Sequence, residues 1–216
     1  DMAFHGRTVY ALSVTQTLDP VATKDFHGLT AGGHIQLPFP AFDSDEPEAV
    51  SHRRADAVLR MAEMTLSQMA NDIVGIIVEP LQGAGGHRVA LPEFYRGLSE
   101  LAHRYDVFLG FDEVQTAGGQ TGSFFAIDLF DLPYPPQAVA TAKKLGCGVV
   151  YMLESMEDRG VLDSTWGGTL ADMVRFVHEM RIVRDDGLIE QVPAKTAHLV
   201  DRLHDIAERY PELVCN

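Results

Sequence analysis

The chain has 216 residues, 46% of them hydrophobic and 22% charged, and its 31 acids against 17 bases leave a formal net charge of −14 at pH 7. That length can bury a sizeable core in one large domain, and a charge of that sign repels phosphate backbones and anionic lipid, which argues against nucleic acid and membrane surfaces as partners. The two cysteines, Cys147 and Cys215, supply neither a disulfide framework nor a paired metal spacing, no run approaches the roughly 20 apolar residues of a spanning helix, and no signal-peptide pattern opens the chain, so a cytoplasmic location without a metal is expected.

In chain order, the apolar segment RTVYALSVT (residues 7–15) reads as a strand, and residues 17–48, with Pro20, Pro38, Pro40 and Pro47, read as an irregular surface connection. From Ala49 to Ala70 the helical spacing of Val58, Met61, Met64, Leu66 and Met69 predicts an amphipathic helix. DIVGIIVEP holds a continuous apolar strand at 73–78, whose lack of alternation predicts burial on both faces, as in a parallel sheet. A helix is expected over 92–105, with Pro92 in its first turn and Glu93 placed for the dipole. VFLGFD, QAVAT and GVVYML follow as strands, and residues 168–210 read as mostly helical with a break near 185–193. Strands alternating with helices imply an α/β fold with a mostly parallel sheet. Ligands of such sheets gather beyond the carboxyl ends of the strands, where Glu79 and Asp112 both fall.

The segment LGFDEVQTAGGQTG (109–122) runs an apolar strand directly into two acids, Asp112 and Glu113, and then into Gly118, Gly119 and Gly122. An acidic strand end also occurs in nucleotide hydrolases, but those need a G-x-x-x-x-G-K-[ST] loop, which this chain does not contain. Acids that merely solvate a strand end are the plain structural alternative. AVATAKKLGCGVV (138–150) weighs against both, because it sets Lys143 and Lys144 between a short apolar strand and a glycine turn, with Lys143 31 residues after Asp112. Apolar flanks are expected to desolvate the amine partly, which lowers a lysine pKa and makes it a better nucleophile toward an aldehyde. A lysine and an aspartate at one sheet edge are what pyridoxal phosphate chemistry requires: the amine forms the Schiff base, and the carboxylate keeps the pyridine nitrogen protonated.

FHGRT, VEPLQGAGG, FDEVQT, AKKLG and STWGG, in this order from Phe4 to Gly168, resemble the motifs of the class III pyridoxal phosphate-dependent aminotransferases. Within that class the STWGGTLADMVR segment, FDEVQT and the double lysine are most similar to the lysine 6-aminotransferase group. The resemblance implies the large domain of a fold-type I transferase, with pyridoxal 5'-phosphate as cofactor. It implies that Lys143 is the Schiff-base lysine, that Asp112 pairs with the pyridine nitrogen, and that Glu79 and Glu113 support them. Gln115 is expected near the phenolic oxygen of the cofactor, Val114 on one ring face and Phe4 on the other. His5 is grouped with the cofactor-binding residues without a contact of its own. Arg7 resembles the carboxylate-binding arginine, and its planar fork suits a substrate carboxylate. Thr165 resembles the residue that reaches the cofactor phosphate of a neighbouring subunit, which implies a homodimer.

The implied activity is transfer of a terminal amino group from a diamino or ω-amino acid, with L-lysine the best match, to 2-oxoglutarate. Alternatives are another class III transaminase acting on ornithine, 4-aminobutyrate or an ω-amino acid with pyruvate, or a non-catalytic α/β homologue. The sequence departs from the family at Ala84, which stands in GAGG where the lysine and ornithine enzymes usually carry Glu. A first residue of Asp1, followed almost at once by an apolar segment, suggests a start inside a domain. Residues 1–216 are thus expected to be a partial cofactor-binding large domain, without the phosphate-cradle segment before it and the small domain after it, and inactive alone.

Overall fold

The computed structural model describes residues 1–16, 33–155, 165 and 167–214. Half of the expected irregular connection, residues 17–32, lies outside the described residues. The expected strand over 7–15 is instead a short helix, α1 (Val9–Ser13). Gly6, at φ +126°, turns the chain just before it, and Leu12 N–H donates to the Thr8 carbonyl at 2.7 Å. Ser13 and Thr15 hydroxyls then donate to the carbonyls of Tyr10 and Ala11. These local bonds satisfy the backbone where strand propensity alone would have asked for a sheet neighbour.

Apart from a short hairpin pair, the following elements match the sequence pattern within a residue or two: α2 (Glu48–Met69), β1 (Gly75–Val78), the hairpin pair β2 (Leu81–Gln82) and β3 (Arg88–Val89), α3 (Pro92–Arg104), β4 (Phe108–Asp112), β5 (Ala138–Thr141), β6 (Val149–Met152), α4 (Leu170–Asp185) and α5 (Val192–Arg209). The hairpin pair is additional to what the pattern predicts. Four strands form one sheet in the order β1-β4-β5-β6, with β1–β4 and β4–β5 parallel and β5–β6 antiparallel. β6 reverses because only residues 142–148 separate it from β5, too short a link for the crossover that a parallel neighbour needs.

The core lies between one sheet face and the helix pair α2 and α3. Val78, Leu109, Phe111 and Val139 meet Ala55, Val58 and Leu66 of α2 and Phe94, Tyr95 and Leu98 of α3. The helices approach closely at Gly97, where a Cβ would lie 2.5 Å from Leu59 Cδ1. The expected burial of β1 on both faces is not found. Val78 is buried but Ile77 is 50% exposed, because among the described residues helices cover a single face of this strand. Helices α4 and α5 bury none of their residues against the described part, leaving Leu170, Val177 and Leu203 exposed. No helix among the described residues is long and apolar enough to cross a membrane.

Tyr95 ties the helix layer to the loop after β1. Its ring stacks on Phe130 with centroids 4.2 Å apart, and its hydroxyl donates to the Pro80 carbonyl at 2.8 Å and accepts from Ala90 N–H at 3.3 Å. Tyr95→Phe keeps the stack but strands two buried backbone groups. The expected loss is about 1–3 kcal/mol of unfolding free energy, measured by urea denaturation; a change near zero would show that water takes over both bonds.

Candidate functional site

Parallel pairing decides where the acids meet. Val78 lies opposite Phe111 and Asp112 lies opposite Ala140, so Glu79, Asp112 and the turn that begins at Ala142 leave the sheet at the same carboxyl edge. Asp112 is buried at that edge with both oxygens engaged. His5 Nδ1 donates to Oδ2 at 2.8 Å, from a side chain only 4% exposed, and Val114 N–H donates to Oδ1 at 3.1 Å. The His5 and Asp112 partners are 107 residues apart in the chain.

Glu79 is also buried, and its Oε1 accepts the Phe4 N–H at 2.8 Å. Desolvation pushes its carboxyl up to about 7, against the opposing pull of the Phe4 N–H and of His5. Glu113, fully buried, has a different task. Its two oxygens accept the Thr116 hydroxyl at 2.6 Å and the N–H groups of Ala126 and Ile127 at 2.9 Å. These bonds close the loop after β4 into a fixed shape, and burial still holds the carboxyl above its usual range.

Lys143 opens the turn after β5. Its φ of +28° is strained for a side-chain-bearing residue, and Gly146 at φ +68° completes the turn by donating its N–H to the Lys143 carbonyl at 2.9 Å. Nζ donates to Gln115 Oε1 at 2.5 Å, which joins the turn after β5 to the loop after β4. Lys144 points elsewhere: its side chain packs against Gly118, where an added Cβ would lie 3.0 Å from Lys144 Cγ. The expected desolvation of the amine is not found. Lys143 and Lys144 are both exposed, since the one large apolar neighbour in the turn, Leu145, spends its side chain in the interior.

Seven of the nine predicted residues thus share one edge: Lys143 with Gln115, Asp112 with His5 and Val114, and Glu79 with the backbone of Phe4, whose side chain is half-buried. Phe4 joins them through its N–H. Arg7 and Thr165 are exposed, and no contact joins either to this cluster among the described residues; Trp166 lies outside them. Sequence reasoning missed Thr15, whose buried hydroxyl accepts the His5 N–H at 3.0 Å. It also missed the His5 contact with Asp112. Reading residues 7–15 as a strand hid the first, and only the histidine's place next to Phe4 hinted at the second.

Residues 1–215 match the model of the class-III aminotransferase family. The chain belongs to that family, whose enzymes depend on pyridoxal phosphate. It is 36% identical over 98% of its length to an L-lysine-epsilon aminotransferase of Mycobacterium tuberculosis, and 30% identical over 94% to a probable mitochondrial 4-aminobutyrate aminotransferase of Caenorhabditis elegans. It spans 48% and 43% of those proteins, respectively. The solved lysine aminotransferase from M. tuberculosis superposes with a TM-score of 0.88 at 32% identity, over 97% of this chain and 48% of that one.

The donor set fits pyridoxal phosphate. A buried carboxylate with a fixed orientation can face a ring N–H, and a primary amine one strand over, exposed and held by a side-chain amide, can reach an aldehyde. Glycine keeps room beside them, because a Cβ on Gly83 would come 3.3 Å from the Gln115 side chain.

The raised Glu79 carboxyl has a signed consequence. Between 4.5, its ordinary value, and about 7, the folded chain holds a proton that the unfolded chain has released, so stability falls as pH rises through that window. The full cost, about 3 kcal/mol, is present above it. Urea unfolding of wild type and Glu79→Gln near the two ends of the window should show the variant gaining relative stability at the higher pH. A constant difference would mean that Glu79 ionises as it does in water.

Proposed function

We propose that this chain carries the cofactor site of a transaminase that moves a terminal amino group from a diamino or ω-amino acid, with L-lysine as donor, to 2-oxoglutarate. The observation that carries the reading is the placement of Asp112 and Lys143 at the ends of neighbouring strands, with Lys143 bonded to Gln115 of the loop that follows Asp112. The similarity to lysine aminotransferases supports the donor. Residues 1–216 correspond in this reading to part of the cofactor-binding large domain.

Bound here, pyridoxal phosphate would supply an electron sink for charge that develops beside the transferred nitrogen. The protein's part is binding, orientation and proton movement. Asp112, with both oxygens tethered, would face the ring nitrogen. Lys143 Nζ would be the amine that holds the cofactor through its aldehyde and, when free, the base that takes up and returns a proton at the substrate carbon. Gln115 aims that amine, and Phe4 and Val114 would flank the ring on its two faces and exclude water. Arg7 clamps the far carboxylate of the donor, which leaves a terminal amine toward the cofactor. Thr165 and the uncovered apolar side chains of α4 serve a homodimer, with Thr165 reaching the partner's cofactor phosphate.

A second reading, 4-aminobutyrate as donor, is favoured by the nematode relative. Ala84 bears on the choice, since its methyl group cannot mask a cationic partner as a Glu would.

Borohydride treatment of the full-length protein loaded with pyridoxal phosphate should fix the label on Lys143, read by peptide mapping. Label on Lys144, or on neither, would remove the central assignment. Asp112→Asn should lower kcat on the order of 100-fold or more, because the neutral amide cannot stabilise a protonated ring nitrogen; near-normal turnover would make Asp112 structural. Assays pairing lysine, ornithine, 4-aminobutyrate and simple monoamines with 2-oxoglutarate or pyruvate decide the donor. Lysine with 2-oxoglutarate is expected to lead, and Arg7→Ala should raise KM for carboxylated donors only. Best turnover of monoamines with pyruvate would overturn the lysine reading and leave the family intact.

A further inference from the structure

The segment Phe4-His5-Gly6 has no strand partner, yet it delivers an imidazole to a carboxylate at the end of β4. Two side chains from separate elements hold its consecutive N–H groups. Glu79 Oε1 accepts from Phe4 at 2.8 Å, and Thr15 Oγ1 accepts from His5 at 3.0 Å while donating to the Ala11 carbonyl at 2.8 Å. Gly6, at φ +126°, then turns the chain away. With its backbone held on both sides, His5 has little freedom, and its ring lies buried against Asp112 Oδ2.

Glu79 is an expensive choice for this task. A buried carboxylate costs free energy unless bonded, and a backbone N–H pair elsewhere in the chain would normally be met by another backbone group. Glu79 touches neither Lys143 nor Asp112 by hydrogen bond, although both, with His5, lie close enough to act on its charge. Its single described bond is to the Phe4 N–H. We infer that Glu79 is a positioning residue: by holding the Phe4 N–H it keeps the His5 imidazole on Asp112, and so fixes the orientation of the carboxylate that faces the cofactor. This rests on the role given to Asp112 under the proposed function. The chain of contacts, Glu79 to Phe4 N–H to His5 to Asp112, crosses from the end of β1 to the end of β4 through a segment from the start of the sequence. An Asp112 without His5 keeps only the Val114 N–H and is free to turn about its last bond.

Two substitutions separate this from a merely structural or purely electrostatic role. Glu79→Gln removes the charge but keeps a carbonyl oxygen for the Phe4 N–H; Glu79→Met keeps the length and removes the acceptor. The first readout needs no cofactor. Acylation of His5 by diethylpyrocarbonate in the apo full-length protein, followed by peptide mass spectrometry, should be about tenfold faster in Glu79→Met and within about twofold of wild type in Glu79→Gln, as expected for loss of one hydrogen bond. The second readout uses the loaded enzyme. Glu79→Met should lower kcat about tenfold with KM for the donor nearly unchanged, and the Gln variant should restore it to within about threefold.

Unchanged His5 acylation in Glu79→Met overturns the inference whatever the activity. Acylation in Glu79→Gln as fast as in Glu79→Met also overturns it, since the charge and not the acceptor would then hold His5. If the Met variant does not fold, Glu79→Ala, which also lacks the acceptor, takes its place with the same two outcomes, and fast acylation in a folded Gln variant is by itself sufficient to reject the inference. Failure of the proposed function looks different: the wild-type protein would neither bind pyridoxal phosphate nor transaminate, while His5 still responded to the loss of the Glu79 acceptor.

Discussion

Parallel register between β1, β4 and β5 is the constraint on which the site depends. In a parallel sheet every strand ends on the same side, so residues that leave strands at 79, 112 and 142 meet at one edge although 62 residues of helix, loop and strand lie between the first and the last. The core exists to hold that register. Leu109 and Phe111 are almost wholly buried between the neighbouring strands and the α2–α3 pair, and a slip of one residue would turn both toward the opposite face. The same slip would carry Asp112 away from His5.

Three carboxylates gather near this edge, and each is satisfied differently. Glu113 spends all its capacity on the protein, bonding the Thr116 hydroxyl and two backbone N–H groups, and so behaves as a staple for the loop that carries Val114 and Gln115. Asp112 has both oxygens tethered and is thereby oriented. Glu79, with one backbone N–H to hold, is the acid whose carboxyl burial lifts to about 7. Adjacent acids in one motif thus divide into an oriented carboxylate at the sheet edge and a loop-holding one by the partners they meet, not by their type.

The lysine turn shows a comparable division. Leu145 anchors it in the interior and Gly146 closes it, which leaves Lys143 displayed in a strained backbone conformation with its amine on Gln115. Strain of this kind persists only where the surroundings over-determine it. Here a buried leucine, a glycine cap and an amide partner do so.

The sequence by itself determined most of the elements and which polar residues stand at the strand ends. Apolar runs of strand length alternating with helical periodicity, and acids or lysines set at their ends, were enough to place β1, β4, β5, α2 and α3 and to single out Asp112, Lys143 and Glu79, because these signals are local and periodic. It misjudged residues 7–15, where β-branched and aromatic side chains favour a strand but hydroxyl-to-carbonyl bonds close a helical turn. It also misjudged the environment of β1 and Lys143, since an apolar neighbour in sequence says nothing about which way that neighbour points. Only the tertiary structure decided that β6 runs antiparallel, that Thr15 and Glu79 share the task of holding the Phe4-His5 backbone, and that His5 rests on Asp112. These contacts join residues up to 107 positions apart through single hydrogen bonds, and such bonds leave no periodic trace in a sequence.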